Sequence, residues 1–203
     1  MHGAEFAKKR QIGSCKTLCG GNDMEKEFEQ INKEMDILWT YLNKNRGYFP
    51  YVDDSSIGAK ILLTPPYYRA QGINIVHTFE EPLSVEIKDE MLRIGHWINQ
   101  NFIIRLCSLI ESYQLISNSI KIDFTLDGAE QLNIVRRLRN RFAHSSGRYN
   151  PDNSDDFKTM ELMGKHLGIS IEGRTDWPLA IDTVLERLLE GCKLYAEKKL
   201  KGA

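Results

Sequence analysis

The stretch Arg136 to Asn150, RRLRNRFAHSSGRYN, gathers the side chains of this chain best suited to chemistry. On a helix, steps of three and four residues return to the same side, so Arg137, Asn140, Arg141 and His144 share one face. Leu138 and Phe142 point elsewhere, toward a core. Arginine offers a planar fork of donors that matches a phosphate. Histidine gives and takes protons near neutrality, its ordinary pKa being about 6.5. Asparagine donates and accepts at fixed geometry. Such a set can cleave RNA without a metal. The 2′-hydroxyl attacks its own phosphate, His144 moves a proton, and arginine offsets the charge on the five-coordinate transition state. One histidine serves one proton transfer well and two poorly, so a second copy of the chain would complete the acid–base pair.

Two further features bear on this segment. Arg139 falls at the edge of the apolar stripe, four residues after Val135. A guanidinium there is partly covered and calls for a carboxylate; Glu111, on the preceding helix, is the best placed. Arg136, Arg137, Arg139 and Arg141, with Arg148 beyond them, also form a basic patch on a chain whose net charge is only −1. Charge placed in this way favours a polyanion such as RNA. A plainer account competes: four arginines can be a solvated helix face, and a histidine at a helix C-terminus is favoured by the dipole alone.

The elements that position this segment can be read from periodicity. Residues 1–23 resemble a flexible leader, with Gly3, Gly13, Gly20 and Gly21 and no apolar repeat. Either this leader is disordered or the natural start is Met24. From Met24 to about Leu42, Phe28, Ile31, Met35, Leu38 and Leu42 make a helical stripe, with Asp23 as its cap. Residues 48–86 are punctuated by Pro50, Pro65, Pro66 and Pro82 and rich in tyrosine; Ile73 to Val76 reads as a short extended piece. This linker is expected to wrap over the helical core or a partner chain.

From Ile87 to about Ser117 the spacing predicts a long helix, roughly 45 Å at about 1.5 Å per residue. Asp127 can cap the next, to about His144, with Gly147 as its stop. Ser154 or Asp155 opens a shorter helix ended by Gly168. Asp176 and Pro178 are expected to start the last, along Ile181, Val184, Leu185, Leu188, Cys192 and Tyr195. These four helices, over residues 87–201, with short connections, predict an all-α antiparallel four-helix bundle. Residues 24–86 would add a helix and an irregular, partly extended linker.

The string Arg139-Asn140-Arg141-Phe142-Ala143-His144 resembles the signature of the HEPN domain family: an arginine, a polar residue that is usually asparagine, then a histidine four to six positions beyond the arginine. Its place at the end of the second bundle helix, after a long helix carrying Arg105 and Glu111, strengthens the likeness, which covers about Ile87 to Leu200. The resemblance implies a helical homodimer whose motifs face each other, and metal-independent endoribonuclease activity. Arg139 would bind the scissile phosphate, Asn140 would orient substrate or Arg139, and His144 would be the acid–base. It implies a toxin, anti-phage or RNA-processing setting, with an antitoxin or defence protein as a partner. Members that have lost the motif act as binding or scaffold modules.

Other signals are set aside. Asp152 to Asp156 lacks the glycine and closing glutamate of a calcium loop, since Phe157 and Met163 stand there. His77, His96 and His166 have no companion at ligand spacing. Cys15 and Cys19 form a lone pair, and Cys107 and Cys192 fall on apolar faces, so no metal or cofactor is expected and the compartment reads as the reducing cytoplasm. No run of about 20 apolar residues is present to cross a membrane. Trp39, Trp97 and Trp177 read as core or interface anchors.

Overall fold

The computed structural model describes residues 21–50, 52–69, 72–144 and 147–202. Six helices dominate it: α1 (Gly21–Tyr48), α2 (Pro66–Arg69), α3 (Val85–Ser112), α4 (Ala129–His144), α5 (Ser154–Leu167) and α6 (Glu186–Lys201). Two short strands, β1 (Ile61–Leu63) and β2 (Val76–Thr78), pair antiparallel, with Leu62 opposite His77.

The helices form where apolar residues recur at three and four with no proline to interrupt. In α1 the buried apolar side chains are Ile31, Met35 and Leu42. In α3 they include Phe102, Ile103, Leu106, Cys107 and Ile110. Ser84 caps α3 by accepting the Ile87 N–H at 3.3 Å. In α4 they are Ala129, Leu132, Ile134, Val135 and Leu138. Each such aliphatic side chain, taken fully out of water, contributes about 1.5–3 kcal/mol.

Packing runs from α1 to α3, α3 to α4, α4 to α6, and α6 back to α1. One core therefore holds Met35 of α1, Leu106 of α3, Leu138 of α4 and Leu188 of α6. The ring is closed by α1. The short helix α5, grouped with the other three on sequence, packs chiefly on α4 as a flank. The linker forms a small second cluster, in which Val52, Leu62 and Leu83 are buried beside Ala59, Phe79 and Met91. Lys88 Nζ ties it to α3 through Asp54, at 2.7 Å.

Several boundaries move from those read on sequence. The extended piece lies at Val76–Thr78 and not at Ile73–Val76, because its partner is β1. The long helix stops at Ser112; Gln114, with φ 56°, turns the chain, and Leu115 and Ile116 enter the core from outside the helix. Asp176 and Pro178 do not start the last helix: a π-helical turn at Ile181–Leu185 leads into α6, so Trp177, Pro178 and Leu179 are buried as irregular chain. Asn153, not Ser154 or Asp155, caps α5, its side chain accepting from the N–H groups of Asp155 and Asp156.

Helix α4 begins at Ala129, beyond Asp127. Gly128 supplies its first backbone acceptor, to Leu132 N at 3.0 Å, with φ 83°. A Cβ at Gly128 would run into the carbonyl of Gly191. Two glycines thus bring the start of α4 against α6, in a conformation only glycine takes readily.

Candidate functional site

Helix α4 carries the arginine-rich segment, and α5 stands opposite its last two turns. Between them lies an open groove of about 490 Å³. Its α4 wall carries Arg136, Arg137, Asn140, Arg141 and His144; Asp155, Asp156 and Thr159 of α5 form the other. Arg137, Asn140, Arg141 and His144 come together because the helical repeat stacks them; the position of α5 comes from the turn between the helices.

That turn is held by one carboxylate. Asp156 is buried, at 2 % exposure. It forms an ion pair with Arg141 and accepts the Asn150 N–H at 3.0 Å. Arg141 also donates to Asn153 Oδ1 at 2.9 Å, and Asn153 caps α5. Arg141 therefore links the end of α4 to the start of α5. His144 is exposed on the groove's rim, at the C-terminal end of α4.

Arg139 takes the other side. Its Nη2 lies 3.3 Å from Glu111 Oε2 on α3, both side chains being about 30 % exposed (29 % and 30 %). Its Nη1 donates to Asn140 Oδ1 at 3.0 Å. Asn140 thus touches Arg139 with its carbonyl while lining the groove that holds His144. Arg136 sits near both sides, with Nη2 3.4 Å from the Ser117 carbonyl. Arg148 is not in this groove; it lines a second one, with Arg93, Trp97 and Tyr149, against α3. Of the residues singled out on sequence, Arg136, Arg137, Arg141, Asn140 and His144 share a groove, and Arg139, Glu111 and Arg148 lie outside it.

Behind the Arg139–Glu111 pair, Cys107 is buried and its thiol is pushed up to about 12, first by burial and then by the Glu111 charge. A thiol so held is no nucleophile at neutral pH. Among the described residues no group of three or more His, Cys, Asp or Glu is placed to hold a metal ion. No helix among them is long and apolar enough to cross a membrane.

Two features carried no signal in the sequence. The acidic wall of α5 depends on how α5 docks on α4. The second is a cavity at His96, where Arg46, Asn99 and Trp177 arrive from three distant parts of the chain. His96, half-buried, lines this cavity. Trp97, beside it, is 62 % exposed, whereas Trp177 is buried against Phe142 and Tyr149.

Comparison with family models, with curated proteins and with solved structures finds no match to this chain.

Proposed function

We propose that this chain is a metal-independent endoribonuclease of HEPN type, built as a four-helix bundle from α1, α3, α4 and α6 and acting in the cytoplasm as a homodimer. The observation that carries the reading is the groove in which His144 stands exposed beside Asn140 and Arg137. A phosphodiester there meets a guanidinium, an amide and a group able to move a proton. His144 takes the proton of the attacking 2′-hydroxyl or returns one to the leaving oxygen. Arg137 offsets charge on the phosphorus oxygens.

Arg139 enters this scheme differently from its family role. Held by Glu111, it donates to Asn140 and fixes the carbonyl of that amide. It is a positioning residue here, leaving the Asn140 amide N–H₂ to meet substrate. The second acid–base group is the His144 of another copy. The resemblance places such an enzyme in toxin or anti-phage defence, where a partner protein restrains it.

A second reading has one observation in its favour. Arg139 and Arg141 are already paired with Glu111 and Asp156, so part of the patch serves the fold. A non-catalytic module would bind RNA or an acidic protein through Arg136 and Arg137.

The deciding experiment incubates purified protein with mixed RNA in excess chelator, beside His144→Ala. Cleavage by the native protein alone, leaving cyclic phosphate ends, is the expected result. Salt-sensitive RNA binding without cleavage, equal in both proteins, would replace the enzyme by the binding module.

A further inference from the structure

Helix α3 turns one side to water that neither the core nor the groove at His144 uses. Arg93, Trp97, Asn101 and Arg105 follow one another at steps of four residues, so they run along one side of the helix. At about 1.5 Å per residue the row is about 18 Å long. Trp97, at 62 % exposure, stands within it, and Arg93 and Arg105 are exposed to either side. Two grooves meet at this indole. One, of about 500 Å³, is shared with α1, whose Tyr41 lines it at 59 % exposure, across from Asn101 and Arg105. The other, of about 620 Å³, carries Arg93 and, from the chain leaving α4, Arg148.

Arg148 reaches α3 because Gly147 docks there. Gln100 donates from Nε2 to the Gly147 carbonyl at 3.2 Å, and Gly147 is buried with φ 69°. A Cβ at Gly147 would lie 2.8 Å from Gln100 Oε1, so glycine is what lets the chain press this close. Arg93, Arg105 and Arg148 form no ion pair among the described residues. Asp176 is the single carboxylate lining either groove.

The balance of groups selects the ligand. An indole held in water among unpaired guanidinium groups suits a chain with flat apolar faces and negative charge spaced along it. A single strand of nucleic acid has both: its bases stack on aromatic rings, and its phosphates take arginine forks. A duplex keeps its base faces stacked inside and would leave the indole unused. The Asn101 amide lies in the same groove and can meet the edge of a base held there. The path also leads toward the candidate site. Four residues separate His144 from Arg148, so their Cα atoms are at most about 14 Å apart.

We infer that this face binds single-stranded RNA, with a base stacked on Trp97, phosphates on Arg93, Arg105 and Arg148, and the strand running on toward His144. The choice of RNA over DNA rests on the proposed activity; the stacking does not.

Filter binding of a single-stranded RNA of about 12 nucleotides, within the size such grooves occupy, tests it. The protein carries His144→Ala so that the strand stays intact, and a duplex and a DNA strand of the same sequence serve as comparisons. The single-stranded RNA is expected to bind about 10-fold tighter than the duplex or more. Trp97→Ala should weaken it by about 5-fold or more, whereas Trp97→Tyr, which keeps an aromatic ring, should stay within about twofold. Trp97 is exposed, so neither change should disturb the fold. Arg105→Gln should lower the salt slope by about one unit. Unchanged binding by Trp97→Ala, equal affinity for duplex and single strand, tighter binding of the DNA strand, or no binding of RNA at all would overturn the inference. A Trp97→Ala protein that sediments as a monomer where the native protein is a dimer would also overturn it, assigning the face to a second copy. Trp97-dependent binding with no cleavage by the native protein would leave this inference standing and the nuclease reading fallen. Cleavage by the native protein, with binding indifferent to Trp97→Ala, would do the reverse.

Discussion

The guanidinium of Arg141 lies against the buried carboxylate of Asp156, and this pair joins the helix carrying the candidate site to the helix facing it. Asp156 is 2 % exposed, while the Arg141 side chain keeps 22 % of its surface in water. Asp156→Ala leaves the Asn150 N–H bare and takes from Arg141 its carboxylate partner. A cost of about 2–3 kcal/mol is expected, below the full penalty for a wholly buried pair because Arg141 can turn to solvent. Urea unfolding should show a lower midpoint with an unchanged slope. A double-mutant cycle with Arg141→Met should give non-additive losses.

His144 and Arg137 separate chemistry from binding. His144 is exposed and at a helix end, so His144→Ala should alter stability by no more than about 0.5 kcal/mol. If the proposed activity holds, the same change removes RNA cleavage while leaving RNA affinity within about twofold. Arg137→Gln should weaken RNA binding and flatten its salt dependence by about one unit of slope. Filter binding across a salt series, beside a cleavage assay, reads both.

The Arg139–Glu111 pair predicts a different pattern. Glu111→Gln frees Arg139 from its carboxylate while keeping the side chain's shape. Both partners are about one-third exposed, so the stability loss should be modest, about 1 kcal/mol or less. If Arg139 works by orienting Asn140, cleavage should fall in kcat with KM little changed, and Asn140→Ala should cancel most of the further effect of Glu111→Gln.

His96 gives a pH dependence. Burial holds its pKa below the ordinary 6.5, and the Arg46 charge adds to this, while Asp176 opposes it. The unfolded chain therefore binds a proton more readily than the folded one. The contribution of His96 to stability is fully present above about pH 6.5 and is lost as pH falls from there through the lower folded value. His96→Gln should remove that part of the acid sensitivity. The difference between native and variant stability, measured from pH 8 to pH 5, isolates it from carboxylates that titrate in both.

The thiols of Cys107 and Cys192 are both raised by burial, that of Cys107 to about 12. In a Cys15→Ser, Cys19→Ser background, neither should react with a thiol reagent until the chain is unfolded. Labelling in native buffer within minutes would contradict the burial of both cysteines in the common core.

The sequence by itself determined what depends on the helical repeat. Arg137, Asn140, Arg141 and His144 share a groove because a period of about 3.6 residues is local and survives any packing. The stripes of α1, α3, α4 and α6 were legible for the same reason, as was the need of Arg139 for a carboxylate. Tertiary structure decided which faces meet. Asp127 and Asp176 look like caps locally, but the glycine contact of Gly128 with Gly191 and the burial of Trp177 set where α4 and α6 begin. That α1, and not α5, closes the ring could not be read from stripes, because every amphipathic helix offers a face and none names its partner. The cavity of Arg46, Asn99 and Trp177 lay beyond the sequence altogether: its residues are separated by dozens of positions, and only the packing of α1 and the chain before α6 onto α3 brings them together.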